Sequence, residues 1–358
     1  MGSRIPQTQK AVVTDEKANW VSLREVPVPI PGENEVLIKV EYAAQNAGDW
    51  RLTNMYLDGT VQGGDFAGTI IKLGTDLKVR LKIDDKVAGA SLYGIRSDSG
   101  SFSEYLVAQS DLIFKIPSGL KIEDAATFGV AWGTVGQVFY HHQEHQYPPH
   151  KIADVSAWYI VYGASTSVGL FLIQIAKLAG YKVLTFASPH SFDLVKSYGA
   201  DHVINYRDED AIQQALDLTG GGADFALDTI SDKDSLRITS GSLGQKGKQM
   251  NRFPSPAQEP KDINPTIKVV TTILNSILGV DINFTPRTPD TPWIVSGSPA
   301  EREFAAAFYQ KTPEIIANYG VKANPVDIRG GLEAISTGLQ QQKDGKVSGR
   351  KLVYKISN

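Results

Sequence analysis

The chain has 358 residues, of which 42% are hydrophobic and 21% are charged, and its net charge is −3. These values are typical of a folded protein with two domains, and they exclude a disordered chain and a basic protein that binds nucleic acid. The absence of cysteine excludes disulfide bonds, thiolate catalysis and thiolate-ligated zinc. Because no apolar segment predicts a signal peptide or a membrane span, we expect a cytoplasmic protein with no membrane partner.

The first third of the chain is predicted to consist mainly of short β-strands. Strands are expected, in order, near residues 11–13, 21–26, 35–42, 63–71, 84–89 and 101–107. Proline and glycine residues separate them at regular intervals, which favours a small β-rich barrel or sandwich. Helical segments at 124–128 and 132–142 are expected to join this region to the middle of the chain.

The segment 158–208 predicts a βαβ unit that binds a dinucleotide. An apolar strand at 158–162 leads through a turn of small residues into a helix at 170–178 and a second strand at 182–187. A helix N-terminus attracts phosphate, and small residues let a diphosphate approach the backbone. The glycine fingerprint G-x-G-x-x-G is incomplete, because Gly163 and Gly169 are the only glycines in this turn.

Hydroxyl groups stand in this turn where further glycines often occur, and we expect them to bind phosphate oxygens directly. The alternative is a plain strand–helix turn with capping hydroxyls. The candidate cofactor-binding residues of the turn are Gly163, Ser165, Thr166, Ser167 and Val168.

The residues after the second strand predict NADPH as the cofactor. An NAD site usually places an acid there for the ribose 2′-hydroxyl, but residues 187–191 contain none. Ser188 and His190 can donate hydrogen bonds to a 2′-phosphate, and Arg207 supplies a positive charge. Tyr206 lies in the segment 205–207, which closes the expected third strand, and it is placed to pack against the adenosine. An ordinary loop histidine is the alternative for His190.

The rest of the chain continues the α/β pattern and then returns to the first region. Strands are expected at 223–228, 267–273, 326–328 and 351–356, helices at 235–242, 301–319 and 331–342, and Pro-rich loops at 251–265 and 281–298. Pro313 is expected to kink or divide the helix that contains it. The final strand is expected to complete the first domain.

A histidine cluster precedes the βαβ unit. His141 and His145 have the i, i+4 spacing of a metal pair, but no acid has the H-E-x-x-H placement. We therefore predict a solvated helix end and no metal site.

Several motifs together resemble the medium-chain dehydrogenase/reductase superfamily. They are P-x-P-x-P-G at 27–32, N-A-G-D at 46–49, G-D-F-A-G at 64–68, the turn 162–169, G-A-D-H-V-I-N-Y-R at 199–207 and G-K-V-S-G at 345–349. Within the superfamily, the chain resembles the zinc-independent quinone-reductase and enoyl-reductase branch. Residues 187–194 are similar to fungal trans-acting enoyl reductases of polyketide biosynthesis, of the lovastatin type.

The resemblance implies an α/β protein with two domains. A GroES-like, β-rich catalytic domain would comprise residues 1–125 and 299–358, and a Rossmann-fold dinucleotide-binding domain would comprise residues 126–298. Catalytic zinc is not expected, because Gly64-Asp65-Phe66 replaces the Gly-His-Glu motif of zinc-dependent members. Arg51 stands where relatives carry a lysine near the nicotinamide and the substrate, and Thr134 matches a threonine beside the nicotinamide.

Enoyl reduction would require groups that stabilise charge and deliver a proton. Hydride adds to the β-carbon of a conjugated carbonyl, charge builds on the carbonyl oxygen, and the α-carbon takes a proton. Arg51, Thr134 and Asn46 are the candidate donors to that oxygen. Tyr56 lies about one residue from the register of the tyrosine proton donor of some enoyl reductases, and solvent is the alternative proton source.

The predicted function is therefore NADPH-dependent reduction of an α,β-unsaturated polyketide thioester in fungal secondary metabolism. The implied partner is a polyketide synthase whose own enoyl-reductase domain is inactive, with the substrate free or bound to its carrier protein. The protein itself is expected to be a monomer or a homodimer. The alternatives are a stand-alone quinone or enone reductase, and a non-redox isomerase, cyclase or NADPH-binding scaffold of the same fold. A hydrolase is disfavoured, because residues 163–167 lack the final glycine of G-x-S-x-G.

Overall fold

The computed structural model describes residues 5–91, 96–255, 263–284 and 293–357. They form two compact units. The first lies within Met1–Gly133, Asn275–Asn318 and Ala323–Asn358, and the second within Thr134–Leu274 and Tyr319–Lys322. The domain division drawn from the sequence, at 125/126 and 298/299, stays a proposal.

The elements of the described residues follow the chain in this order. The strands are β1 (Thr8–Asp15), β2 (Trp20–Pro27), β3 (Glu35–Ala44), β4 (Asp65–Leu73), β5 (Lys86–Ala90), β6 (Tyr105–Gln109), β7 (Ile113–Lys115), β8 (Trp158–Tyr162), β9 (Lys182–Ala187), β10 (His202–Asn205), β11 (Phe225–Asp228), β12 (Gln249–Arg252), β13 (Lys268–Thr271), β14 (Ile282–Phe284), β15 (Trp293–Val295), β16 (Val326–Arg329) and β17 (Lys351–Lys355). The helices are α1 (Ala47–Arg51), α2 (Ile122–Ala125), α3 (Val130–Gly136), α4 (Ser167–Leu178), α5 (Phe192–Ser197), α6 (Ala211–Thr219), α7 (Lys233–Leu243), α8 (Pro299–Tyr319) and α9 (Ile335–Lys343). None of these helices is both long enough and apolar enough to cross a membrane.

The first unit is built on a mixed sheet with the strand order β16-β17-β3-β4-β5-β7, and β6 also pairs with β3. Val36, Ile38 and Val40 alternate along β3, so they share one face, and all three are fully buried in the core with Phe66 and Ile70. The last strand, β17, pairs antiparallel with β3. The predicted return of the C-terminal segment to the first region is therefore confirmed.

The second unit contains a parallel sheet with the order β10-β9-β8-β11-β12-β13. The strand order reverses between β8 and β11. In sheets of this kind, ligands bind at the carboxyl ends of the strands beside that reversal. The predicted βαβ unit is confirmed, with β8 and β9 at the expected residues. The helix begins at Ser167, three residues earlier than predicted, because Thr166 caps it.

Several predicted element boundaries are wrong. The predicted loop 281–298 contains β14 and β15, which pair antiparallel; the prolines that suggested a loop lie in residues 285–292, outside the described residues. The predicted loop 251–265 begins inside β12, and its residues 256–262 also lie outside the described residues. The third strand of the βαβ region ends at Asn205, which leaves the next two residues in a turn. The helix α8 runs through Pro313 undivided.

The prediction of a solvated helix end around His145 is also wrong. A π-helical turn over Gln137–His142 follows α3, and the His145 ring stacks on Phe139 at a centroid distance of 4.0 Å. His145 Nδ1 lies 3.0 Å from the Phe139 carbonyl oxygen, and Nε2 lies 2.8 Å from the Tyr181 hydroxyl. A carbonyl oxygen only accepts, so Nδ1 carries the proton and Nε2 accepts from the tyrosine. Neither nitrogen is left for a metal.

We expect His145 to make the protein sensitive to acid. Burial lowers the pKa of His145 from 6.5 to about 4. As the pH falls, the imidazole of His145 therefore takes up a proton in the unfolded chain before it does so in the folded protein. The stability that neutral His145 contributes is complete above about pH 6.5 and is lost towards about pH 4. The loss should be roughly 1–3 kcal/mol over that window.

Urea unfolding of His145→Gln at several pH values measures this effect as a slope of the unfolding free energy against pH. The slope of the variant should be shallower than that of the wild type. His150→Gln changes an exposed histidine of the same loop and should keep the wild-type slope. Equal slopes for all three proteins would contradict the assignment.

Candidate cofactor site and buried polar cluster

The turn between β8 and α4 is shaped by two glycines. Gly163 has a φ of 71°, a conformation that favours glycine, and a Cβ there would collide with Thr229 Oγ1. Gly169 lies in the first turn of α4, where a Cβ would be 2.7 Å from the carbonyl oxygen of Ala164. Gly163 therefore leaves room for the Thr229 side chain, and Gly169 allows the helix to pack closely on its own turn.

The hydroxyl groups of this turn have different surroundings. Thr166 Oγ1 accepts a hydrogen bond from the Gly169 N–H at 3.1 Å and donates to Thr229 Oγ1 at 3.1 Å, so it is engaged within the protein. The side chains of Ser165 and Ser167 are half-buried and make no hydrogen bond to any residue that the structure describes. These two hydroxyls are available to a ligand.

The start of α4 also offers backbone donors. Ser167 and Val168 are the first two residues of this 12-residue helix, so their N–H groups have no partner within it. The positive end of the helix dipole lies at the same place and favours an anion. The predicted phosphate-binding residues are thus brought together around one helix N-terminus.

A second group of predicted residues meets at the ends of β9 and β10, which are adjacent and parallel. Arg207 Nη1 lies 3.3 Å from Ser188 Oγ, and the Tyr206 hydroxyl lies 3.4 Å from the same oxygen. The Arg207 guanidinium carbon lies 4.5 Å from the centre of the Tyr206 ring. His190 is exposed on the turn Pro189–Ser191 that follows Ser188. Arg207 forms no ion pair with a described residue, so this group carries a positive charge.

The first unit contains a buried ion pair that the sequence reasoning did not identify as functional. Lys351 in β17 is 3% exposed and Asp65 at the start of β4 is 0% exposed, and Lys351 Nζ lies 2.8 Å from Asp65 Oδ2. Lys351 also donates to Asn46 Oδ1, and the Val130 N–H donates to Asp65 Oδ1 at 2.6 Å. Burial raises the pKa of Asp65, while Lys351 and the hydrogen bonds to the carboxylate pull it down. A lysine directly before the apolar residues Leu352 and Val353 of β17 is the signal that could have revealed this pair.

Three of the four candidate catalytic residues lie in the first unit. Asn46 caps α1, and its N–H donates to Asp49 Oδ2 at 2.6 Å. Tyr56 is 6% exposed, and burial together with the charge of Asp49 raises its pKa, so the phenol keeps its proton. Arg51 is exposed at the end of α1, with its guanidinium carbon 5.4 Å from the centre of the Trp50 ring.

The fourth candidate, Thr134, lies in the second unit. It is a buried residue of α3. The structure thus places Asn46 and Tyr56 around the same aspartate, while the candidate cofactor residues of the second unit form the two groups described above.

A parallel sheet with this strand order, with a turn of small residues leading into a helix beside the reversal, is typical of dinucleotide-binding folds. Residues 32–118 match the model for the alcohol dehydrogenase GroES-like domain, and residues 167–284 match the model for zinc-binding dehydrogenases. The predicted fold class is therefore confirmed.

Comparison with known proteins identifies the family within this superfamily. It is 35% identical to the trans-enoyl reductase ACTTS2 of Alternaria alternata over 98% of this chain and 99% of the relative. It is 32% identical to the trans-enoyl reductase mycC of Thermothelomyces thermophilus over 99% and 98%. The crystal structure of the CurK enoyl reductase has the same fold, with a TM-score of 0.77 and 17% identity over 98% of this chain and 100% of that one. The chain belongs to the trans-enoyl reductase family of the medium-chain dehydrogenase/reductase superfamily.

Proposed function

We propose that this protein is a trans-acting, NADPH-dependent enoyl reductase that reduces an α,β-unsaturated polyketide thioester in fungal secondary metabolism. The full-length similarity to fungal trans-enoyl reductases supports enoyl reduction as the reaction. The observation that carries the choice of cofactor is the group formed by Ser188, Tyr206 and Arg207, which offers positive charge where an NAD site would offer an acid.

The residues of the second unit fit NADPH. The diphosphate is assigned to the hydroxyls of Ser165 and Ser167 and to the N–H groups at the start of α4, next to Gly163. The 2′-phosphate is assigned to Ser188 and Arg207, with His190 as a further donor on the following turn. Tyr206 provides an aromatic surface for the adenosine. When bound, the cofactor supplies the hydride.

The remaining chemistry is assigned to residues of the protein. Arg51, Asn46 and Thr134 are proposed to donate hydrogen bonds to the carbonyl oxygen as negative charge builds on it. Tyr56 is proposed to deliver the proton to the α-carbon, because it lies about one residue from the register of the tyrosine proton donor of some enoyl reductases. Water is the alternative proton donor.

We propose further that catalysis needs no zinc, although part of the chain matches a zinc-binding family model. Asp65 is the acid of the segment that replaces Gly-His-Glu, and its carboxylate is already paired with the ammonium of Lys351. A metal at this carboxylate would have to displace a buried cation. The Lys351 ammonium therefore supplies a positive charge beside Asp65 without a metal.

The proposed partner is a polyketide synthase that presents the substrate on its carrier protein, as the resemblance implies. The reductase itself is assigned no nucleic-acid partner. Its assembly state, monomer or homodimer, can be read by size-exclusion chromatography with light scattering.

Steady-state turnover with a panel of acceptors tests the proposed function. At saturating NADPH, an α,β-unsaturated polyketide-like thioester should be reduced faster than a simple enone or a quinone, and treatment with a chelator should leave the rate unchanged. Faster turnover of quinones or enones would identify a stand-alone reductase. A new product formed without loss of NADPH would identify an isomerase or a cyclase.

A further inference from the structure

The hydroxyl of Thr229 lies where β8, β11 and the cofactor turn meet. Thr229 directly follows β11, and its Oγ1 is 2.9 Å from the carbonyl oxygen of Tyr162 and 3.1 Å from that of Gly163. The same atom is 3.1 Å from Thr166 Oγ1. One side chain thus contacts the turn at its entrance and at the cap of α4.

The chemistry of these groups fixes the direction of the hydrogen bonds. Carbonyl oxygens only accept, and a hydroxyl carries one hydrogen. The Thr229 hydroxyl therefore shares its hydrogen between the carbonyl oxygens of Tyr162 and Gly163. It must therefore accept from Thr166, whose oxygen in turn accepts from the N–H of Gly169 at 3.1 Å. A continuous chain runs from the Gly169 N–H through two hydroxyls to the end of β8.

This chain explains how the turn accommodates a threonine where a glycine of the fingerprint is missing. The Thr166 hydroxyl is turned towards Thr229 and the helix, so it does not compete for the ligand. The carbonyl oxygens of Tyr162 and Gly163 also face the Thr229 hydroxyl. The hydroxyls of Ser165 and Ser167 and the N–H groups of the first helical residues remain for an anion.

We infer that Thr229 is a positioning residue for the cofactor site: it holds the turn in the conformation that binds the diphosphate, and it makes Thr166 a structural cap. This inference rests on the proposed NADPH site. Thr229 itself touches no part of the cofactor in this assignment and acts through the turn.

The test compares Thr229→Val, which removes the hydroxyl at almost unchanged volume, with Thr229→Ser, which keeps it. The dissociation constant of NADPH, measured by fluorescence titration, should rise about 10-fold in Thr229→Val and stay within about 3-fold of the wild type in Thr229→Ser. Adenosine 2′-phosphate carries the 2′-phosphate but no diphosphate, so its affinity should be the same in all three proteins. A general loss of structure would weaken both ligands.

Two further variants keep the test decisive. Thr166→Val breaks the same chain at its other hydroxyl and should also weaken NADPH but not adenosine 2′-phosphate. Thr219→Val is the matched control, because Thr219 is buried in the same unit and its hydroxyl also links backbone groups, donating to the Ala215 carbonyl at 2.7 Å and accepting from the Gly222 N–H at 3.0 Å. It should leave the affinity for NADPH unchanged.

The outcomes separate this inference from the function on which it rests. Wild-type protein that binds NADPH, with equal affinity in Thr229→Val, overturns the inference alone. Equal weakening of NADPH in Thr229→Val and Thr219→Val, or parallel loss of adenosine 2′-phosphate binding, also overturns it. Wild-type protein that does not bind NADPH overturns the proposed function, and this inference falls with it.

Discussion

Replacement of Lys351 by methionine is expected to lower the free energy of unfolding by about 3–5 kcal/mol. The substitution keeps the length of the side chain but removes the ammonium that pairs with Asp65. The Asp65 carboxylate, which is fully buried, would then have no counter-ion, and the Asn46 carbonyl would lose a donor. Urea or guanidinium unfolding curves at neutral pH measure the loss.

The exposed ion pair between Lys177 and Asp201 provides the matched control. Its N–O distance is also 2.8 Å, but both side chains are about one-third exposed. Lys177→Met should therefore cost at most about 1 kcal/mol. The double variant Lys351→Met/Asp65→Asn, which removes both charges, should recover much of the stability. Similar losses for Lys351→Met and Lys177→Met would contradict the assignment of a buried pair.

Replacement of Arg207 by alanine is expected to weaken NADPH binding by about 10-fold to 50-fold at low salt, with little change for NADH. In the proposed site, the guanidinium pairs with the 2′-phosphate, which NADH lacks. Because Arg207 is exposed, the effect should shrink as the salt concentration rises. Titration of each cofactor by fluorescence, at two salt concentrations, measures the preference directly.

Arg237→Ala removes another exposed arginine of the same unit, on α7, and should leave both affinities unchanged. An equal loss of NADH and NADPH binding in Arg207→Ala would show that this residue does not recognise the 2′-phosphate. The preference for NADPH over NADH would then have to come from other residues.

The elements that the sequence predicts best are those whose own residues determine them. The strand β8 is a continuous apolar run, and β9 is apolar except for Lys182 and Thr185, so their bounds could be read directly. The predicted start of α4 is three residues too late, because the sequence does not distinguish a capping hydroxyl at Thr166 from one that binds a ligand. The sequence does not predict the antiparallel pair β14 and β15, because each strand has three residues and proline lies between them in the sequence.

The polar contacts that complete the site could not be predicted, because they join distant parts of the chain. Lys351 is 305 residues from Asn46 and meets it only because β17 pairs with β3. Thr229 is 67 residues from Tyr162 and reaches it only because β11 lies beside β8 in the sheet. A periodic pattern predicts each strand, but the order of strands within a sheet depends on the packing of the whole unit.

The group at the ends of β9 and β10 could be predicted only in part from the sequence. The sequence places Ser188 directly after one strand and Tyr206 and Arg207 at the end of the next. A βαβ pattern makes these two strands neighbours, so the proximity of the three residues could be predicted. The stacking of the Arg207 guanidinium on the Tyr206 ring could not, because it depends on the strand ending at Asn205 and not at Arg207.

The location of a transferred hydride tests the central claim most directly. NADPH deuterated at the hydride-bearing carbon of the nicotinamide, prepared as both epimers, is incubated with the protein and an α,β-unsaturated thioester, and the product is analysed by mass spectrometry and nuclear magnetic resonance. We predict a saturated thioester that carries deuterium on the β-carbon with one of the two epimers. Deuterium on the carbonyl carbon, or a changed product without deuterium from either epimer, would contradict the account.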